Sequence, residues 1–209
     1  MLDFNQKTEF SQNDYSELQA ICNDCQRCPL APTRTQVVFG TGPTPCDIMA
    51  IGEGPGEQED KEGVPFIGRA GQLLTKIFES VGLNRDTDIY ITNTVKCRPP
   101  NNRDPHADEI AQCQHFLMRQ IQLVKPKILL LIGNPALKSI MGADRTITKS
   151  RGQWFTQPVD YMEQPLYVMP IFHPSFLLRN ASKEKGKPKW LTWQDMKEVK
   201  SARDMMTGN

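Results

Sequence analysis

Lys127-Ile128-Leu129-Leu130-Leu131-Ile132-Gly133 is apolar without a break between its end residues. A strand with one wet face alternates polar and apolar residues, so an unbroken apolar run of this length belongs to a strand covered on both faces. Asp47-Ile48-Met49-Ala50-Ile51-Gly52 has the same character and ends in a glycine-rich turn, Ile89 to Val95 is rich in β-formers, and Leu166 to Ile171 is a fourth strand. Helical patterns lie between them. Asn13 to Cys22 puts Tyr15, Leu18, Ile21 and Cys22 on one side, and Gly68 to Val81 carries Leu73, Leu74, Ile77, Phe78 and Val81 at helical spacing, with Gly82 as its stop. Asp104-Pro105 opens a helix with a capping Asp and a first-turn Pro, and its stripe runs Ile110, Cys113, Leu117, Ile121, Val124. Pro135 to Met141 reads as a short helix, and Thr192 as the cap of a last helix reaching about Met206. Strands alternating with helices give an α/β fold, a parallel sheet covered by helices on both sides.

The 209 residues suit one domain spanning 1–209, with 1–24 as an N-terminal helix or extension. Hydrophobic residues at 38% and charged residues at 23% fit a soluble globular chain. Met1 to Phe10 is polar, and no apolar run is long enough to span a bilayer. We therefore expect a cytoplasmic protein that keeps its thiols reduced, so its six cysteines read as metal ligands or core residues. A net charge of +1 does not by itself point to nucleic acid. Arg179, Lys183, Lys185, Lys187 and Lys189 nevertheless crowd a short stretch with one acidic residue, Glu184. That stretch reads as a solvated loop or as a phosphate-contacting patch.

In parallel sheets ligands bind beyond the carboxyl ends of the strands. Gly52–Asp60, Asn93–Pro105 and His173–Arg179 all follow strands, so they converge on one edge. Glu53-Gly54-Pro55-Gly56 can aim backbone N–H groups at a ligand, with Glu57, Glu59 and Asp60 able to bind water, or can be a plain acidic turn. Asn93 offers one acceptor and two donors, enough to read a ring edge bearing a carbonyl and an N–H, or simply to cap a turn. Phe66 can stack on a planar group or fill the core. His173, pulled out of regular structure by Pro174, can donate to an oxyanion; His106 and His115 are given no role. Cys25-x-x-Cys28, Cys97 and Cys113 can together hold a metal centre that ties the N-terminal segment to the body. Cys113 alone would also fit a helix core. The spacing does not decide between zinc and an iron–sulfur cluster.

Taken together, these motifs resemble the family 4 uracil-DNA glycosylases, the iron–sulfur branch of the uracil-DNA glycosylase superfamily. The stretches that carry the resemblance are Cys25-Gln26-Arg27-Cys28, Thr33 to Gly40, Gly52 to Asp60, Pro65 to Leu74, Ile91 to Arg103 and His173 to Asn180. The resemblance implies a three-layer α/β/α fold around a central four-stranded parallel sheet. It implies a [4Fe–4S] cluster on Cys25, Cys28, Cys97 and Cys113, with a structural role. Cys22 departs from the family pattern as a competing thiol, and Cys46 reads as a core residue.

The implied reaction is hydrolysis of the bond between uracil and deoxyribose in single- or double-stranded DNA, after the base is flipped out of the stack. Phe66 would stack on the base, Asn93 would read its polar edge, and Gly54 would line the pocket. His173 would stabilise the leaving group. Gly54 stands where the best-known branch has a water-positioning Asp, so Glu53, Glu59 or Asn102 would take over that task. Ser175, Phe176, Leu177 and Arg179 would form the DNA-inserting loop, and the basic stretch would hold phosphates. A monomer is expected, with no membrane contact and with any replication or repair protein partner unidentified.

Two other readings compete. One is a non-catalytic metal-cluster module that recognises damaged or single-stranded DNA; it would need the cysteines and the basic loop but not Asn93, Phe66 and His173 together. The other is the branch that traps the abasic sugar through a histidine. That branch carries a longer basic insert than the short Cys97–Pro105 segment here.

Overall fold

The structure, a computed structural model, describes residues 2–208. In chain order the elements are α1 (Tyr15–Asn23), β1 (Ile48–Gly52), α2 (Glu57–Glu62), α3 (Arg69–Glu79), β2 (Ile89–Asn93), α4 (Ala107–Val124), β3 (Ile128–Ile132), α5 (Gly133–Met141), α6 (Ile147–Ser150), β4 (Phe155–Gln157), β5 (Leu166–Ile171), α7 (Pro174–Arg179) and α8 (Pro188–Thr207). Among the described residues, no helix is long and apolar enough to cross a membrane.

The sheet has the order β2-β1-β3-β5-β4. The first four are parallel neighbours, with Gly52 beside Asn93 and Ile132 beside Ile171. The expected four-stranded sheet therefore gains a fifth member. β4 is a three-residue antiparallel edge paired to β5, with Phe155 beside Val168. It was not legible because it is short, half-exposed and follows a turn at Gly152 (φ +69°) rather than forming an apolar run.

Alternate residues of each strand face opposite layers. Met49, Ile51, Leu129 and Leu131 pack with Leu117, Ile121 and Leu137 from α4 and α5. Ile48, Ala50, Leu130 and Ile132 pack with Leu74, Phe78, Met196 and Val199 from α3 and α8. Full burial on both faces is what the unbroken apolar runs require, and it yields the expected three layers.

Several helix ends differ from expectation. α4 starts at Ala107 with His106 as its N-cap, not at Asp104. Glu109 decides this. Its carboxylate accepts the His106 N–H at 2.7 Å and both arms of the Arg103 guanidinium at 2.8 and 2.6 Å. α3 ends at Glu79, and Gly82 lies in the turn beyond it. α5 begins at Gly133, directly off β3. α8 begins at Pro188, so Thr192 is internal and returns its hydroxyl to Pro188 O at 2.9 Å. The segment after His173 is a short helix, α7, rather than a loop.

Glu109 is 1% exposed, and Arg103 beside it holds its carboxyl below the usual range. Glu109→Ala should lower the unfolding free energy by about 1–3 kcal/mol at neutral pH. A carboxyl with a depressed folded pKa contributes above its unfolded value and loses that contribution as pH falls. Wild-type and variant melts should therefore converge in acid. A constant gap down to acid pH would show that the loss is packing alone.

Candidate active site and metal centre

β2 ends at Asn93, 1% exposed, beside Gly52 at the end of β1. The Asn93 Oδ1 is buried and accepts no hydrogen bond from the described residues. Leaving such an acceptor unpartnered costs about 1–3 kcal/mol, so the fold preserves an acceptor for something that is not protein. Phe66 lies against this corner: a side chain at Gly52 would strike both the Phe66 ring and Asn93 Oδ1. Phe66 adopts φ +53°, rare for an aromatic residue. Three restraints hold it there. Arg85 donates to Phe66 O at 2.7 Å and to Pro65 O at 2.9 Å. Glu59 Oε1 accepts the N–H groups of Ile67 at 2.9 Å and Gly68 at 2.8 Å. Gly71 lies so close to the Phe66 backbone that no Cβ fits there.

His173 lies beside this corner, its ring 6.0 Å from that of Phe66 at a 41° tilt. Its Nδ1 accepts the Ser175 N–H at 3.1 Å and lies 2.7 Å from Ser175 Oγ. A backbone N–H can only donate, so Nδ1 is unprotonated and the neutral ring carries its hydrogen on Nε2. Burial, and secondarily Arg179, lowers the His173 pKa to about 4. Gly133, at φ +84°, packs under the His173 Cβ where another residue would collide.

Glu53 follows Gly52, and its backbone oxygen accepts from the Thr94 hydroxyl at 2.5 Å and the Val95 N–H at 3.2 Å. The Val95 contact is one of two main-chain bonds, with Thr94 N–H to Gly52 O at 3.0 Å, that lock the ends of β1 and β2 together. Burial, and then the neighbouring Asp104, raises the Glu53 pKa to about 7.

The four expected thiols also come together. Cys25, Cys28, Cys97 and Cys113 line one small cavity, with Cys22 and Lys96 in the same wall. Among the described residues, no three His, Cys, Asp or Glu side chains are grouped closely enough to hold a metal ion as they stand. Arg34 donates to Cys97 Sγ at 3.5 Å, and the Lys96 N–H to Cys113 Sγ at 3.3 Å. Burial pushes the free thiols up, Cys97 to about 11 and Cys113 to about 12. The Lys96 side chain is buried, and its ammonium donates to Thr92 Oγ1 at 2.6 Å and Asn93 O at 2.7 Å. A buried cation needs a counter-charge, and ligated thiolates would supply one. The donor set therefore suits a metal centre.

The model of the uracil DNA glycosylase superfamily matches residues 39–197. A type-4 uracil-DNA glycosylase of Thermotoga maritima is 46% identical over 178 residues, covering 85% of this chain and 88% of the relative. One from Sulfurisphaera tokodaii is 46% identical over 166 residues, covering 77% and 74%. A third, from Saccharolobus solfataricus, is 41% identical over 183 residues, covering 85% and 81%. The chain belongs to the uracil-DNA glycosylase superfamily.

Within this glycosylase fold, the expected site residues fall into two groups. Asn93, Phe66 and His173 meet, with Ser175 behind the histidine and Glu53 on the adjoining loop. Glu59 is instead engaged by the Phe66 turn. Asn102 is exposed, and its Oδ1 accepts from Arg98 Nε at 2.8 Å. Gly54 packs against Val95. Leu177 corrects the expectation of an inserting residue: it is fully buried, whereas Leu178 is 39% exposed and Arg179 is exposed beside it. Phe176 is partly buried and lies 5.0 Å from Phe172, ring to ring. Cys46 is a core thiol as expected, donating to Ile48 O at 3.3 Å. Sequence reasoning missed Arg85, Asp104, Gly133 and Lys96. Only Gly133, a glycine directly after an apolar strand, left a readable trace.

Gly52→Ala tests the crowding. The added methyl should lower the unfolding free energy by about 1–3 kcal/mol, since the Phe66 ring and the Asn93 amide must both give way. A variant that unfolds with wild-type stability would mean that these side chains move aside freely.

Proposed function

We propose that the protein is a uracil-DNA glycosylase that hydrolyses the N-glycosidic bond of uracil in DNA and leaves an abasic site, as in base excision repair. The observation that carries this reading is the unpartnered Asn93 Oδ1 in a corner shared with the Phe66 ring and His173. Uracil presents an N–H donor beside a carbonyl acceptor, the complement of an amide side chain. Cytosine presents an acceptor and an amine there, leaving buried polar groups mispaired, a loss far larger than that of one methylene. Phe66 stacks on the flipped base.

The bond between C1′ and N1 breaks with its electron pair going to uracil. Negative charge grows on a uracil carbonyl oxygen, and the His173 Nε2–H donates to it. A neutral donor suits this task, and a pKa near 4 keeps the ring neutral at physiological pH. Water adds to C1′ and gives up a proton, which the Glu53 carboxylate accepts. On the DNA side, Leu178 replaces Leu177 as the apolar residue that fills the gap, with Phe176 and Ser175 beside it. Arg179 and the lysines that follow meet phosphates. The protein acts as a monomer on single- or double-stranded DNA in the cytoplasm.

Cys25, Cys28, Cys97 and Cys113 hold a [4Fe–4S] cluster. When bound it supplies a structural cross-link between the N-terminal segment, β2 and α4, without electron transfer in the reaction. The support is the thiol-ringed cavity and the buried Lys96 ammonium in its wall.

The deciding experiment incubates protein with a labelled oligonucleotide bearing one uracil and then treats it with alkali. Wild type should yield a cut strand. His173→Ala should lose about 100- to 1,000-fold in single-turnover rate, and Asn93→Ala should lose its preference for uracil over cytosine. No cut from iron-bearing wild type would favour the binding-module reading. The pH profile follows from Glu53. With a pKa of about 7 its carboxylate fraction rises through neutral pH, so kcat/KM should climb over that range and level off above it. Glu53→Gln should flatten the climb. A flat wild-type profile would remove Glu53 from the reaction.

Iron content tests the cluster assignment. Cys97→Ser and Cys113→Ser should purify with much less iron and visible absorbance than wild type, and with lower thermal stability. Cys22→Ser and Cys46→Ser should keep both. Iron loss in Cys22→Ser would make Cys22 a ligand.

A further inference from the structure

A second concave surface lies along α7, beyond the His173 corner. It is a groove of about 410 Å³ between α3, α7 and α8, within the size range of small-ligand sites. Leu73 and Ile77 of α3 form its floor over the buried Leu177, Trp190 and Trp193 form a wall, and Lys76, Lys183 and Lys189 line it from three segments. Among the described residues, no carboxylate lines it. Trp193 is 39% exposed, which is unusual for the largest apolar side chain. The Lys197 ammonium lies 4.1 Å from its ring centroid, so a fourth cation sits on this patch.

Exposed indoles among lysines form the surface on which unpaired bases stack while ammonium groups follow the phosphates. A peptide partner would find apolar floor here but would need to be strongly acidic. The charge favours a polyanion. Leu177, beneath the groove, belongs to α7, whose N-cap is His173, so the groove and the His173 corner flank the same short helix.

We propose that this groove binds the single-stranded stretch of DNA adjoining the flipped nucleotide, with one base stacked on Trp193 and its phosphates on Lys183 and Lys189. The proposal rests on the glycosylase reading for its occupant. It adds a site for bases that are not excised, and it makes unpaired DNA a better ligand than duplex DNA at the same sequence.

The test uses a thymine-only oligonucleotide, which carries no uracil. It should quench the tryptophan fluorescence of wild-type holoprotein. Trp193→Ala should bind it about fivefold or more weakly, as the loss of one stacked base implies, while Trp193→Phe should retain most of the affinity. Lys76→Glu, on the exposed face of α3 and outside the basic stretch that follows Arg179, should weaken binding without disturbing the fold and keeps the test open if Trp193→Ala is unstable. On uracil-containing single strands, Trp193→Ala should raise KM and leave kcat unchanged, with a smaller effect on duplex. Wild-type binding by both Trp193→Ala and Lys76→Glu would overturn the groove and leave excision standing. Quenching that depends on Trp193, from wild type that releases no uracil, would keep the groove and overturn the glycosylase.

Discussion

The Lys96 ammonium donates to the main-chain oxygen of Asn93 from inside the protein, and much of the site depends on that contact. The same ammonium reaches Thr92 Oγ1, and Thr92 in turn donates to Phe39 O at 2.8 Å. One buried cation thus pins the last two residues of β2, where the Asn93 amide sits, and also forms part of the thiol cavity wall. Burial lowers its pKa only to about 8, because the cysteine sulfurs around it oppose the shift. The thiol cavity and the Asn93–Phe66 corner are therefore two sides of one strand end. The cysteines surround the charge that fixes Asn93.

Around that strand end the fold concentrates features that cost stability. Phe66 has a left-handed backbone, Asn93 keeps a buried oxygen unpaired, and His173 gives up its charge. The strained backbone and the unpaired oxygen are each of the order of 1–3 kcal/mol; the histidine's cost appears only as pH falls below its ordinary value. They are offset nearby and at a distance. Arg85 and Glu59 hold the Phe66 turn, Ser175 orients the histidine, and the doubly covered sheet supplies the hydrophobic burial that tolerates the rest. Such costs gather where a ligand will meet the protein, since a ligand can relieve them and an apolar core residue cannot.

The strands were legible because burial on both faces demands unbroken apolar runs, and Ile128–Ile132 has no other use for consecutive large side chains. The converging loops followed from parallel strands alone. What stayed hidden was set by long-range partners. Asp104 looked like a helix cap because nothing local says that Glu109 reaches back to the His106 N–H. Glu59 looked like a free carboxylate until the Phe66 turn came to meet it. Leu177 and Leu178 are identical in type and adjacent, and only the rotation of α7, about 100° per residue, sends one into the core and the other out. Arg85 and Lys96 are ordinary basic residues in sequence; their meaning lies in the carbonyls they reach.

His173 and Glu53 show how one physical cause serves two tasks. Burial is the largest influence on both, and in each it disfavours the charged form: the imidazole falls to about 4 and the carboxyl rises to about 7. For the histidine the result is a neutral donor at a fixed nitrogen, suited to an anion that needs a hydrogen bond rather than a full proton. For Glu53 it is a carboxylate that is poorly solvated once ionised. In the proposed reaction, cationic character on the sugar would interact with it more strongly than with a hydrated carboxylate, because the intervening dielectric is low. Asp104 adds to the rise, since a second carboxyl beside Glu53 disfavours its negative form. On that proposal, a motif with Gly54 in place of an aspartate would still offer a carboxylate one residue earlier, in surroundings suited to an oxocarbenium-like sugar.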